Sequence, residues 1–192
     1  MTEHHWITGH HGANATGLYA RVMDTLGVAS LAAHLGAGGA VTEAARQAFG
    51  LDLPQEPGFS RAPGLRAIWA GPERWLIVAE GDIEAALVEK LGARATVTDQ
   101  TDARTVLHIS GPRAGDTLAK GVGLDLHPRA FAPGMAALTL AADVPVLLWQ
   151  EDDAPTYGLA IPRSYAGSVA SWLVASAVEY GLVIEPAGVL LP

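Results

Sequence analysis

The chain has 192 residues, carries a formal net charge of −8 at pH 7 and contains no cysteine. Without a basic stripe it suits neither nucleic acid nor an anionic membrane surface, and without cysteine it has no disulfides, thiolate catalysis or cysteine-ligated metals. Hydrophobic residues make up 49% and charged residues 17%, which indicates either a permanent partner surface or simply abundant alanine. We expect a cytoplasmic protein because no apolar signal-peptide segment is recognisable at the N-terminus.

The first 16 residues are polar and show no apolar periodicity, which predicts an N-terminal arm that is mobile or bound to a partner. Four imidazoles lie within this arm, those of His4, His5, His10 and His11. Clustered imidazoles can bind a transition metal, but here no carboxylate or regular element fixes their geometry. We therefore predict no metal site in the arm.

The next part of the chain alternates strand and helix signals. An apolar stretch runs into the glycine turn 36–39, which favours a strand feeding a helix. Gly50 ends that helix and Pro54 prevents its continuation. The predicted elements are one or two helical turns within 17–26, strand 28–35, helix 40–49, loop 53–63, a hairpin of 65–70 with 75–79 around the turn 71–74, a helix capped by Asp82 and ending at Leu91, and strand 95–98.

The second half of the chain repeats this plan. Pro112 stands at the start of a helix, where its missing N–H costs nothing. The predicted elements are strand 104–110, helix 113–120, a hairpin of 135–142 with 144–150 around Asp143, strand 156–161, a helix over 165–180 capped by Ser164 and closed by Gly181, and an apolar tail at 182–192 lying across a surface or a partner.

An internal duplication explains the parallel between the halves. The tetrapeptide Gly-Leu-Asp-Leu occurs at 50–53 and again at 123–126, each time after a predicted helix and one or two residues before a proline. Each half then reads close to β-α-β-β-α-β, which is the ferredoxin-like arrangement. The sequence therefore predicts an α+β fold made of two duplicated ferredoxin-like halves.

The domain organisation follows from this duplication. We predict one domain at 28–181, preceded by the arm 1–27 and followed by the tail 182–192. Within it the halves cover about 28–98 and 99–181.

Two motifs invite a catalytic or nucleotide-binding interpretation. The glycine turn 36–39 resembles a phosphate loop, but the third glycine of a dinucleotide fingerprint is replaced by Val41, so a plain turn is the stronger prediction. The acidic run 151–153 offers Mg²⁺ ligands or an acid–base pair. Followed by Ala154 and Pro155, it reads better as a solvated hairpin loop.

Five further residues have mainly structural explanations. Asp99, with Asp102, can form an ion pair to Arg104 that pins the start of the central strand; alternatively Arg104 binds a ligand carboxylate. His108, on that strand, is more typical of a core or interface than of a catalyst. Trp75 is the expected aromatic anchor of a core or interface. We predict no catalytic, cofactor-binding or metal-binding residue in this chain.

A set of short runs lies along the chain in a specific order and spacing: 71–78, 97–101 with Arg104, 110–114, 124–128 with Phe131 and Gly134, 157–159, and 163–165. Together these runs resemble the gamma subunit of heterotetrameric sarcosine oxidase over roughly residues 28–181. The resemblance adds Arg163 to Trp75, Asp99, Arg104 and His108 as structural or partner-facing residues.

The resemblance implies a fold akin to the folate-binding domain of the glycine-cleavage T protein and its aminomethyltransferase relatives. It implies alpha, beta and delta partner subunits in a complex that oxidatively demethylates sarcosine to glycine and hydrogen peroxide, passing the one-carbon unit to tetrahydrofolate. FAD, FMN and NAD then belong to the alpha and beta subunits and the folate site to alpha. The gamma subunit is chiefly an assembly partner, with no cofactor of its own.

The resemblance also implies that the folate chemistry is absent from this chain. T-protein relatives carry an Asp-Asp pair in a strand after a Gly-Gly turn. In the matching segment 143–149 apolar residues take the acid positions, and the acidic run 151–153 comes too late to replace them.

Three alternatives remain open from the sequence. One is the equivalent subunit of a related complex, such as N-methylglutamate dehydrogenase. Another is a stand-alone folate-binding protein, which would need no partner. The third is a plain scaffold with no link to amine oxidation.

Overall fold

A computed structural model describes residues 6–13, 15–23 and 26–188 of the chain. These residues form two compact units. The seven-stranded unit comprises 6–13, 15–23 and 103–188, and the five-stranded unit comprises 26–102. The five-stranded unit is thus inserted in the sequence of the other.

The strands, in chain order, are β1 (Gly9–His11), β2 (Leu18–Met23), β3 (Leu26–Ala33), β4 (Phe59–Ala62), β5 (Leu65–Gly71), β6 (Arg74–Glu80), β7 (Ala95–Asp99), β8 (Arg104–Ser110), β9 (Ala136–Ala141), β10 (Val144–Asp152), β11 (Thr156–Pro162) and β12 (Leu182–Gly188). The helices are α1 (Gly38–Phe49), α2 (Glu84–Leu91), α3 (Ala114–Leu118) and α4 (Ala166–Ala177), with a short 3₁₀ turn at Arg163–Tyr165. No helix within the described ranges is long and apolar enough to cross a membrane.

The five-stranded sheet has the order β4-β5-β6-β3-β7, with every neighbouring pair antiparallel. Helices α1 and α2 cover one face of it. Val41 and Ala45 of α1 and Leu87 and Leu91 of α2 pack on that face. The helical spacing of these side chains, i and i+4, places them on one side of each helix.

Helix α1 ends where the sequence predicted. Gly50 adopts the left-handed conformation, with φ 62°, and its N–H donates to the carbonyl of Arg46 at 3.0 Å. A residue with a side chain is strained in that conformation, which glycine adopts freely. The predicted end of the helix at Gly50 is therefore confirmed.

The seven-stranded sheet has the order β1-β12-β2-β8-β11-β10-β9. Its one parallel pair among the described strands is β12 with β2. Helices α3 and α4 cover one face through side chains such as Leu118, Val169 and Leu173, which meet Leu107 and Leu159 of the sheet.

The predicted duplication is present in the strand order of the two units. The series β3-α1-β4-β5-β6-α2-β7 of the five-stranded unit corresponds in order and pairing to β8-α3-β9-β10-β11-α4-β12, with β2 added between β8 and β12. Both Gly-Leu-Asp-Leu segments occupy the same place, between a helix and the edge strand. The α+β, ferredoxin-like fold prediction is confirmed.

Three segments differ from the predicted elements, and long-range pairing explains two of them. Within 17–26, where one or two helical turns were predicted, the structure has strand β2, whose Leu18 and Ala20 are buried while Tyr19 is exposed. The predicted tail contains β12, which pairs in parallel with β2. The predicted loop 53–63 contains the edge strand β4.

The start of the last helix also differs. Ser164 lies in the 3₁₀ turn, and the side chain at the helix N-cap, Tyr165, makes no capping hydrogen bond. Because the 3₁₀ turn connects β11 directly to α4, the N-cap position falls on Tyr165 and not on Ser164.

Candidate functional site

The predicted structural or partner-facing residues fall into two groups. Trp75 and Asp99 belong to the five-stranded unit, while Arg104, His108 and Arg163 belong to the seven-stranded unit. Each group is best understood from its own strands.

Trp75 is a core residue of the five-stranded unit. Its side chain is 1% exposed, and its indole N–H donates to the carbonyl oxygen of Pro54 at 2.7 Å. It stands opposite Leu31 on β3 and Trp69 on β5. Because a buried indole needs an acceptor for its N–H, this bond ties the loop after α1 to the sheet.

Asp99 ends strand β7 in an exposed position. Its carboxylate accepts a hydrogen bond from the backbone N–H of Thr101 at 2.9 Å. The hydrogen bonds from Thr101, chiefly from its hydroxyl, hold the pKa of this carboxyl below its ordinary value. The local turn thus favours the charged form of Asp99.

Arg104 and Arg163 meet at one end of the β8–β11 pair. Arg104 is opposite Pro162 in the ladder, and a guanidinium N–H of Arg163 donates to the Arg104 carbonyl at 3.2 Å. The backbone N–H of Arg163 also donates to the carbonyl of Ala103 at 2.9 Å. Arg163 therefore fixes the start of the central strand β8.

His108 lies in a row of residues that crosses the sheet on the face opposite α3 and α4. Ladder pairing places Glu185, Arg21, His108, Gly158 and Trp149 side by side on five neighbouring strands. Arg21 and Glu185 form an ion pair at 2.8 Å. The indole of Trp149 lies directly over Gly158. A side chain at position 158 would therefore overlap the ring.

Glu151 joins this row, although the sequence predicted a solvated loop at 151–153. The pairing of β10 with β11 shifts register between Gln150 and Asp152, and this irregularity lies at Glu151. Glu151 is 9% exposed, and its Oε1 accepts the indole N–H of Trp149 at 3.0 Å. The prediction of a solvated loop over 151–153 is therefore wrong for Glu151, because β10 extends to Asp152.

His108 and Glu151 are residue types that act as acids and bases in active sites, but here both side chains are too buried to reach a substrate. Nε2 of His108 lies 3.5 Å from Oε1 of Glu151, and the two side chains are 8% and 5% exposed. A general base must lie within hydrogen-bonding reach of the substrate's proton. Burial to this extent favours a structural polar cluster within the sheet.

The side-chain carboxylate of Glu73 lies against the glycine turn before α1. An added Cβ at Gly38, the first residue of α1, would overlap the side-chain carboxylate of Glu73. That negative charge already stands at the positive end of the helix dipole and disfavours a phosphate there. This arrangement supports the plain-turn prediction for 36–39.

The histidines of the N-terminal arm and the acidic side chains are the candidate metal ligands of this chain. No group of three or more histidine, aspartate or glutamate side chains comes together in the part of the chain that the structure describes. His10 and His11 lie in β1, and the ring Nε2 of His11 is 2.9 Å from the carbonyl of Ile7. His4 and His5 are outside the described residues.

Comparison with known proteins gives consistent matches across both units. Residues 34–179 match the model of the family described as "Sarcosine oxidase, gamma subunit family". The sarcosine oxidase subunit gamma of Corynebacterium sp. (strain P-1) is 38% identical over 140 residues, covering 70% of this chain and 68% of that protein.

Two solved structures share the fold. A chain of the heterotetrameric sarcosine oxidase from Corynebacterium sp. U-96, in complex with pyrrole 2-carboxylate, superposes with a TM-score of 0.78 at 28% identity, covering 88% of both chains. The glycine cleavage system aminomethyltransferase T from Bartonella henselae gives a TM-score of 0.63 at 14% identity, covering 91% of this chain and 48% of that one. The second likeness concerns the fold alone. From the family match and the curated relative together, the chain belongs to the sarcosine oxidase gamma subunit family.

Proposed function

We propose that this chain is the non-catalytic gamma subunit of a heterotetrameric sarcosine oxidase. In this proposal the alpha, beta and delta subunits are its partners, and FAD, FMN, NAD and tetrahydrofolate bind to them. The complex demethylates sarcosine to glycine and hydrogen peroxide and passes the one-carbon unit to tetrahydrofolate. The observation that carries the proposal is the superposition on a chain of such an oxidase over 88% of both chains.

The non-catalytic role is supported by the surroundings of the titratable groups. The one acid–base pair on β8 and β10, His108 with Glu151, is buried. Asp99 and Arg163 are engaged in local turns and strand ends. Arg104 is half-buried at the start of β8, and we propose it as a partner-facing residue rather than a ligand site.

A role within a complex is further supported by exposed apolar side chains. Leu35 is fully exposed in the turn before α1, and Leu138 and Leu140 on the edge strand β9 are 59% and 47% exposed. β9 carries no charged residue along Ala136–Ala141. An uncharged edge strand with exposed leucines is prone to association unless a partner covers it.

Co-expression tests this proposal. The chain, carrying an affinity tag, is produced with candidate alpha, beta and delta subunits, and the purified material is assayed for flavin absorbance and for hydrogen peroxide production from sarcosine and from N-methylglutamate. We expect a flavin-coloured complex that oxidises sarcosine. A preference for N-methylglutamate would move the proposal to the related dehydrogenase complex, and a colourless single chain would refute it.

A further inference from the structure

Met135 presents a thioether sulfur just before the edge strand β9. The chain has three methionines. Met1 lies outside the described residues, Met23 is 6% exposed and Met135 is 36% exposed. Pro133 and Gly134, which precede Met135 in the chain, are exposed as well. Of the two described methionines, Met135 is therefore the one that a small solute reaches.

The sulfur of Met135 is held in place by a tight turn. The backbone N–H of Met135 donates to the carbonyl of Ala132 at 3.0 Å, and the N–H of Ala132 donates to Sδ of Met135 at 3.3 Å. The carbonyl of Met135 accepts the N–H of Gln150 at 3.0 Å, which attaches the turn to β10. Sδ is thus a hydrogen-bond acceptor in a fixed position, although a thioether is a weak acceptor.

A thioether in this setting is open to oxidation by a peroxide. Its sulfur has two lone pairs, and the Ala132 N–H occupies one of them. The other attacks one oxygen of hydrogen peroxide, so that an S–O bond forms, the O–O bond breaks and the second oxygen leaves as water with both protons. The sulfur gives two electrons to the peroxide. The product is methionine sulfoxide, which methionine sulfoxide reductases return to methionine.

The fold makes this oxidation harmless at one described methionine and costly at the other. At Met135 the new oxygen is a polar acceptor on an exposed side chain, within reach of solvent and of the Ala132 N–H. At Met23 the same oxygen would be buried at the end of β2, where a polar group without a partner is destabilising. The folded chain therefore tolerates a sulfoxide at Met135 and disfavours one at Met23.

We propose that Met135 is a reversible sulfoxidation site, at which this chain reacts with hydrogen peroxide without losing its fold. The Ala132 N–H has an acceptor in both oxidation states, so the turn before β9 stays closed. The inference goes beyond the assembly role of the chain. It rests on the proposed function for the source of the oxidant, since a sarcosine oxidase releases hydrogen peroxide.

Peptide mass spectrometry tests the site. The co-expressed complex, and separately the full-length chain, are treated with added hydrogen peroxide, and the sulfoxide fraction is followed at Met135 and, as the matched control, at Met23. We expect Met135 to be oxidised faster by roughly tenfold or more, because susceptibility follows exposure. In urea, where the fold protects neither, the two rates should converge. Equal rates in the folded protein, or an unreactive Met135, would overturn the inference.

Amide hydrogen exchange tests whether the turn tolerates the sulfoxide. Protection of the Ala132 N–H is compared in reduced wild type, in oxidised wild type and in Met135→Leu, which nearly keeps the side-chain volume but has no acceptor sulfur. We expect protection to survive oxidation and to fall in Met135→Leu. If oxidation exposes this amide as much as Met135→Leu does, the sulfoxide breaks the turn and the inference is wrong.

Turnover separates this inference from the proposed function. The complex, supplied with sarcosine and dioxygen, should form the sulfoxide at Met135, and added catalase should suppress it. Peroxide release that leaves Met135 unoxidised would overturn the inference while the proposed function stood. A complex that releases no peroxide from sarcosine would refute the proposed function, and the comparison with added peroxide would still decide the site.

Discussion

Gly158 stands directly opposite Trp149 in the β10–β11 ladder, and the indole ring fills the space that a side chain at 158 would need. Gly158 is also the ladder partner of His108 on the other side. Close packing, and not the backbone conformation, therefore requires a glycine at position 158. The space that the glycine leaves lets the Trp149 indole take the position from which its N–H donates to Glu151.

The first prediction concerns this contact. Gly158→Ala is expected to lower the free energy of unfolding by about 1–3 kcal/mol, the usual cost of overpacking a filled site. Urea denaturation of the isolated chain measures it. Gly123→Ala is the control, since an added Cβ there meets only the Thr139 hydroxyl at 4.0 Å. Equal stability of the two variants would show that the indole moves aside without cost.

The second prediction concerns the buried carboxylate. Glu151→Ala removes the acceptor of the Trp149 indole N–H, and an unsatisfied buried donor costs about 1–3 kcal/mol. Glu151→Gln keeps an acceptor oxygen and is expected to be less destabilising. The exposed neighbour Asp153→Ala is expected to change stability by less than about 0.5 kcal/mol. If Glu151→Ala is as mild as Asp153→Ala, Glu151 has no structural role.

The third prediction concerns the start of α1. Glu73→Gln removes the negative charge beside Gly38 and is expected to cost about 0.3–1 kcal/mol at low salt. The difference from wild type should shrink in 1 M salt, where the Debye length falls to about 3 Å. Glu56→Gln, in an exposed loop, is the control. A loss that salt leaves unchanged would point to packing instead of charge.

The fourth prediction concerns acid stability. The pKa of Asp99 is held below its ordinary value by Thr101, so its contribution to stability is present above about pH 4 and is lost as the pH falls through the depressed pKa. Asp99→Asn should therefore be less stable than wild type at pH 7 and converge with it in strong acid. Urea midpoints measured from pH 7 to pH 2.5 check this, and parallel curves would contradict it.

The duplicated plan was predictable because its signals are local. The glycine turn before α1, Gly50 at its end and the repeated Gly-Leu-Asp-Leu segments mark element boundaries within a few residues of sequence. The hairpin around Asp143 is equally local: Ala142 and Asp143 both adopt positive φ, as a two-residue hairpin turn requires. These predictions matched the structure.

The differences arise where pairing is distant or a strand is irregular. Strand β2 does alternate, with Leu18 and Ala20 buried and Tyr19 exposed, so periodicity could have identified it. β12 could not be identified in this way, because its partner β2 is more than 150 residues away in the sequence. The sequence predicted a solvated Glu151 because runs of acidic residues usually lie in solvent. The side chain is buried at the register shift in β10, which the sequence does not reveal.

The central claim, that this chain is one of four different subunits of an oxidase, is tested most directly by native mass spectrometry. The tagged chain is purified after co-expression with the candidate partners, and its intact mass is measured with the flavins bound. We predict a single species containing one copy of this chain and three distinct other chains. A chain that purifies alone and binds tetrahydrofolate tightly without partners would contradict this assignment.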